Sequence, residues 1–214
     1  MTGHYAQMAF TPLVTSHQAA HGSADAYARL AASGDGSDRL GADEADFIQS
    51  RDSFFIASVS ETGWPYVQHR GGPPGFLRVL DEQTLGFADF RGNRQYITRG
   101  NVDHDERVSL FLIDYRHQAR MKIFGRARVI EPEDDAALVA SLVPADYPAK
   151  VERAALIEIE ALDWNCRQHI PKLVPLDVVR NTVAELAGQV ARLEAELAEV
   201  KAGSAAGVED SHRS

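Results

Sequence analysis

One cysteine, Cys166, stands in the whole chain. It cannot form an internal disulfide and cannot alone hold a structural metal, so a reducing, cytoplasmic setting is expected. Positive charge is scarce too: 22 Lys and Arg face 31 Asp and Glu, a formal net charge of -9. No broad cationic surface is left to displace counterions from a phosphate backbone, which excludes a nonspecific nucleic-acid binder and leaves room only for a local anion site. No apolar run approaches the ~18 residues that span a bilayer, and no charged n-region leads into an apolar segment, so no membrane association is expected. Familiar catalytic signatures are missing as well: there is no Gly-x-Ser-x-Gly elbow, no His-Glu-x-x-His helix and no Gly-x-x-x-x-Gly-Lys phosphate loop. The eight histidines form no ligand-like cluster, and His104 between Asp103 and Asp105 reads as an acidic solvated turn, so no metal is expected.

What is present is enough for one core. With 44% hydrophobic residues in 214, the chain reads as a single main domain with terminal additions. Residues 1–39 form an N-terminal extension, helical over 23–33, with a linker over 34–39; a second helix with acids in its first turn starts at 42. The period then changes to that of strands: 54–60, a turn at 61–63, a return over 64–69, a loop through the Gly-Pro cluster 70–75, a short strand over 76–80 and another over 84–90. A short helix is expected over 94–101, strands over 106–115 and 119–132, a short helix over 133–143 and a final strand within 155–165. Along 119–132, Met121, Ile123, Gly125, Ala127 and Val129 alternate with Lys122, Arg126 and Arg128, the pattern of a half-solvated antiparallel sheet. Strands in hairpin order with short links favour an antiparallel barrel or sandwich with closed edges.

The tail follows another rule. Leu176, Val179, Val183, Leu186, Val190, Leu193, Leu197 and Val200 recur at alternating intervals of three and four, the seam of a coiled coil. An amphipathic helix is expected over 173–200, joined to a partner, most simply the same helix of another subunit, with a flexible tail over 201–214.

The stretch FADFRGNRQY, 87–96, places two arginines around a Gly-Asn turn at the end of a strand. If a helix starts at Arg94, a guanidinium and unpaired N–H groups converge on one point, the arrangement that holds phosphate. A surface turn whose arginines pair with Asp103, Asp105 or Glu106 explains the same residues equally well.

Four ordered blocks, ASVSETGWPYVQHRGG (57–72), GFADFRGNRQY (86–96), ERVSLFLIDY (106–115) and KIFGRARVI (122–130), together resemble the FMN-binding split-barrel family of the pyridoxamine 5'-phosphate oxidases over about residues 40–170. The resemblance implies a mainly β fold with flanking helices, an antiparallel split β-barrel over 40–172, here followed by the coiled-coil-like helix. It also implies a homodimer with FMN between the subunits. Arg94 matches the phosphate-binding arginine of these oxidases, Gly92 and Asn93 precede it, and Gln95 stands where a lysine is usual. Asp89 and Phe90 match positions beside the flavin, and Arg120 falls where a flavin-contacting glutamine is common. Gln68 replaces another arginine, and Pro73 lies near a family lysine; Arg70 and Arg78 are the nearby cations that would reach the same phosphate. In the block DWNCRQHIPK (163–172), similar to a subgroup of uncharacterised split-barrel flavoproteins, Trp164 is the residue to cover an isoalloxazine or to anchor a dimer interface, Asn165 or His169 to orient a polar group, and Cys166 to fill a small buried space.

These residues point to an FMN-dependent oxidoreductase acting on a small molecule other than pyridoxamine phosphate, with the flavin carrying the hydride chemistry. A noncatalytic flavin-binding or sensing protein, or a haem-binding split barrel, is the alternative.

Overall fold

The computed structural model describes residues 2–34, 36, 38–164 and 168–210, with side chains described up to residue 199. Asn165 and Cys166 lie outside the described residues, as do 211–214 of the expected tail. The chain divides into two compact units, residues 1–170 and 171–214.

In the first unit, three helices, α1 (Gly3–Ala9), α2 (Pro12–Ala20) and α3 (Ala24–Ala32), precede α4 (Ala42–Gln49). Then come β1 (Ser53–Val59), β2 (Pro65–Gly71), β3 (Arg78–Val79), β4 (Thr84–Phe90), α5 (Ile97–His104), β5 (Arg107–Asp114), β6 (Ala119–Ile130), α6 (Ala136–Ser141) and β7 (Val151–Trp164). The strands build one antiparallel sheet in the order β2-β1-β5-β6-β7-β4-β3. This is the expected split β-barrel architecture with flanking helices. Alternation explains which face turns inward: Phe54 and Ile56 of β1, Val108, Leu110 and Leu112 of β5, and Met121, Ile123 and Ala127 of β6 are all buried. They join Phe87, Ile157 and Ile159 in one core.

Closure differs from the expected continuous ladder. β2 and β3 remain edge strands, and no strand pairing joins β2 to β3 or β4 among the described residues. Side chains bridge that seam instead: the Arg70 guanidinium of β2 reaches Asp89 of β4 at 2.6 Å, and Phe54 packs edge-on against Phe87 at 5.4 Å between ring centres. A register shift between Phe124 and Gly125 bends β6 against β7. Only glycine fits at 125, because a Cβ there would lie 2.5 Å from the Glu158 carbonyl oxygen.

The N-terminal extension is built into this unit. Tyr5 of α1 is buried and stacks on Phe124 with ring centres 4.6 Å apart. The Thr2 hydroxyl donates to Asp38 at 2.6 Å, and the same Asp38 oxygen accepts from the Leu162 backbone N–H at 2.8 Å. Asp38 N–H donates to Glu160 O and Leu40 N–H to Glu82 O, so the segment read as a linker continues into backbone pairing along β7. Helices α1 and α2 went unread because seven to nine residues give too few turns for a periodic signal.

Other boundaries move for physical reasons. The strand expected over 76–80 shrinks to Arg78–Val79, because Phe76 and Leu77 turn fully into the core. The helix expected at Arg94 starts at Ile97, since Arg94 and Tyr96 hold φ of 62° and 55°. The last strand begins at Val151 rather than 155, because Phe90 through Phe87 of β4 need partners there.

The second unit contains one helix, α7 (Leu176–Asp210), continuous past the expected end at Val200. From Leu176 to Leu197 its seam residues are 43% to 61% exposed.

Candidate functional site

β2 sends Tyr66, Gln68 and Arg70 to one face by its two-residue alternation. Opposite them β4 ends at Asp89 and Phe90, and the chain turns through 91–96 into α5. Together these segments line a shallow, open cleft.

The floor of the cleft is a polar lattice. The Thr98 hydroxyl donates to the Gln68 amide oxygen at 2.6 Å, which leaves the amide N–H2 of Gln68 as its donor end. Asn93 Oδ1 accepts from the Gln95 backbone N–H at 3.2 Å and so folds the turn. Arg94 Nε donates to the Tyr96 hydroxyl at 3.1 Å, and Arg153 lies over the Tyr96 ring at 5.3 Å. No side chain caps α5, so its first-turn N–H groups have no side-chain acceptor, and the residues of that turn, Ile97, Thr98 and Arg99, line the cleft.

Charge pairing separates the arginines. Arg70 pairs with Asp89 at 2.6 Å, Arg91 with Glu152 at 3.0 Å, and Arg99 with Asp103 at 3.0 Å and Glu131 at 3.2 Å. Arg153 pairs with Glu131 at 3.2 Å; burial opposes its charge, but Glu131, the Tyr96 hydroxyl and Asp89 outweigh it and raise its pKa. Among the described residues Arg94 has no carboxylate within ion-pair distance, and Glu152 of the cleft attracts its charge only from farther off. Its proposed surface-turn partners are occupied elsewhere: Asp103 by Arg99, Asp105 by Arg107 and Glu106 by Arg126. Asp103 and Asp105 beside His104 thus serve arginines.

Behind the polar floor a small apolar chamber opens between Ile56, Phe87, Val102, Val129 and Ile157, with Arg70 at its boundary. The Nε of Arg70 is buried and makes no hydrogen bond among the described residues. A buried unpaired donor costs about 1–3 kcal/mol, which a ligand acceptor would recover.

Seven of the ten expected site residues therefore meet: Gln68, Arg70, Asp89, Phe90, Asn93, Arg94 and Gln95 all line the cleft. Three do not. Arg78 lies on β3, paired with Gly86, outside the cleft. Arg120 opens β6 opposite Ile113, and Trp164 closes β7 opposite Met121. That end of β6 is roughly 30 Å from Val129 at the chamber, by the rise of a strand. Trp164 is instead held by Glu44, which accepts from its indole N–H at 2.7 Å, and by the edge of Phe47. Arg120 Nε is buried without a hydrogen-bond partner among the described residues.

Sequence reading missed Thr98, Tyr96, Glu152 and Arg153. Thr98 carried a signal, a hydroxyl in the first turn of a helix after the Gly-Asn turn. Glu152 and Arg153 carried none: Glu152 lines the cleft and Arg153 lies over Tyr96 only because β7 pairs with β4 there, Arg153 opposite Asp89.

The family model of pyridoxamine 5'-phosphate oxidase matches residues 41–187. The chain belongs to that family. The match takes in α4, the whole sheet of this oxidase-family chain and the first turns of α7. No curated protein matches it. Solved structures similar to it include HupZ of Group A Streptococcus, at 14% identity over 63% of this chain and 99% of that one, with a TM-score of 0.49. Another is a Clostridium acetobutylicum protein related to general stress protein 26, at 13% identity over 64% and 94%, with a TM-score of 0.45. A third is an FAD binding protein of Mycobacterium smegmatis, at 15% identity over 59% and 95%, with a TM-score of 0.42.

Proposed function

We propose that this oxidase-family chain is a flavin-dependent oxidoreductase, that its flavin is FMN, and that the cleft between β2, β4 and α5 receives the phosphate end. The supporting observation is the state of Arg94: a guanidinium with no direct ion pair among the described residues stands beside the uncapped start of α5. Charge-assisted hydrogen bonds and first-turn N–H groups are the two devices that hold phosphate without a metal. The residues present fit such a group. Gln68 Nε2 supplies a neutral donor, held outward by the Thr98 hydroxyl bond to its amide oxygen, and the unpaired Arg70 Nε supplies a charged one at the chamber boundary.

The bound flavin would supply hydride acceptance and donation. The chain's own part is to bind, orient and exclude water. Arg94 fixes the anionic end, and the Asx turn at Asn93 folds the loop in which Arg94 and Tyr96 take positive φ. Asp89 holds Arg70 in place, and the apolar walls Ile56, Phe87 and Val129 offer a dry surface. We further propose a homodimer in which Arg120 and Trp164 of a second copy complete the site, since both stand at the far end of the β6–β7 ladder. Pyridoxamine phosphate is not the substrate in this reading. Gln68 and Gln95 replace cations of the oxidases in segments that contact cofactor, so a different small molecule is oxidised or reduced.

A visible spectrum of the freshly purified protein, followed by titration with FMN, tests the reading. Flavin bands with about one cofactor per subunit and reduction by a nicotinamide donor are expected. A Soret band, or FMN binding without any turnover, would overturn it in favour of a haem protein or a flavin carrier; formation of pyridoxal phosphate would overturn the substrate assignment.

A further inference from the structure

The seam of α7 is exposed along its described length, and its order of side chains carries information beyond its period. Leu176 and Val179 take the a and d positions of the first heptad, Val183 and Leu186 those of the second, Val190 and Leu193 those of the third, and Leu197 the next a. Leucine and valine thus exchange places between the outer and the middle heptads.

We infer that α7 pairs with α7 of a second copy of this chain in an antiparallel two-stranded coiled coil centred near Gly188. In that alignment each a residue meets a d residue of the partner helix: Val179 meets Leu197, Val183 meets Leu193, and Leu186 meets Val190. Every such layer holds one leucine and one valine, so the seam keeps a constant volume along its length, as dense packing requires. The middle heptads, with Val at a and Leu at d, would also suit a parallel pair. The outer ones would not: they place Leu176 and Leu197 at a and Val179 at d, the reverse of the placement a parallel two-stranded pair prefers.

Over the side chains described up to residue 199, charge complementarity favours the same alignment. In the antiparallel pair the flanking e positions face one another, which sets Arg180 of each helix opposite Glu194 of the other. Ala187 faces Ala187 and, at the g positions, Thr182 faces Glu196 and Gln189 faces Gln189, so no like charges meet. In a parallel pair Arg180 would face Pro175 and Glu194 would face Gln189, and both charges would go unanswered. The apolar stripe, 43% to 61% exposed along the helix, would stay in water if the helix stood alone, and a second copy covers it without any further component.

Charge exchange in the full chain tests the pairing. Sedimentation equilibrium of Arg180→Glu and of Glu194→Arg should each show association weakened about 5- to 30-fold, because two symmetric attractions become repulsions. The double exchange should restore the wild-type constant. Single exchanges without effect, or a double exchange that does not restore, would overturn the inference. A second measurement stays decisive even if the barrels themselves associate. In a Cys166→Ser background, spin labels at Asp177→Cys should lie about 33 Å apart along the axis of an antiparallel pair. A separation near one helix diameter would mean parallel pairing, and the absence of a defined distance would mean that the seam is covered by something else; either overturns the inference.

Discussion

Arg70 on β2 and Asp89 on β4 meet at 2.6 Å across the side of the barrel that no backbone ladder closes among the described residues. The pair does two things at once: it holds the seam, and it uses up a cation that would otherwise face the cleft. Replacing Asp89 by Asn should therefore lower unfolding stability by about 1–2 kcal/mol, by loss of a charge-assisted bond. The same change releases Arg70 and should tighten binding of an anionic ligand. Urea unfolding and isothermal titration with FMN measure the two effects, which should carry opposite signs.

Arg94→Ala should weaken FMN binding about 10- to 100-fold, the range of a charge-assisted contact to phosphate, and change thermal stability little, because the side chain is exposed and makes one exposed hydrogen bond, to Tyr96. Titration of both proteins gives the result. Equal affinities would return Arg94 to an ordinary surface turn.

A pH response is built into the opposite end of the barrel. Burial works to raise the pKa of Asp114, but hydrogen bonds from His117 and Arg51 outweigh it and bring it from 3.8 to about 2. A carboxyl that binds its proton less readily folded than unfolded stabilises above its unfolded pKa. That stabilisation, of order 2 kcal/mol, is present at pH 5 and is lost as pH falls from about 4 to 2. Asp114→Asn should accordingly be least stable relative to wild type above pH 5, with the gap narrowing on acidification, as followed by urea unfolding at each pH.

Tyr5 tests whether the N-terminal helix belongs to the barrel. Its ring is buried and stacked on Phe124, so Tyr5→Ala should cost about 3 kcal/mol by the scale of buried aromatic deletions. A loss below about 0.5 kcal/mol, the range of surface changes, would make α1 an ornament.

The alternating strands were legible because their inward residues are large and apolar over several periods: β4 at 84–90 and the inward face of β6 are found where the sequence reading put them. Legibility failed where tertiary contacts overrule local preference. Arg94 and Tyr96 have no special claim to positive φ, yet the Asx turn and the Tyr96 hydroxyl hold them there and push the helix start to Ile97. Asp38 looked like linker and became a hydrogen-bonding hub, because its partners Thr2 and Leu162 are remote in sequence. In the cleft, the residues of β2, β4 and the following turn were legible because each is local to a recognisable strand end. Glu152 and Arg153 were not, since their place depends on which strand pairs with β4.

That pairing has a consequence for the nascent chain. β4 hydrogen-bonds to β7 along its whole length, while β3 touches it only at Arg78 and Val79. On the ribosome, Leu85, Phe87 and Phe90 emerge well before their partners from Val151 onward, and at ~5–20 residues per second the interval lasts seconds. Through that time β4 is an apolar strand with an open edge, the form most prone to stick to its neighbours. Synthesis of this protein should therefore depend on holdase chaperones more than the length of its chain alone would suggest, and slowing translation between Arg91 and Lys150 should lower its soluble yield.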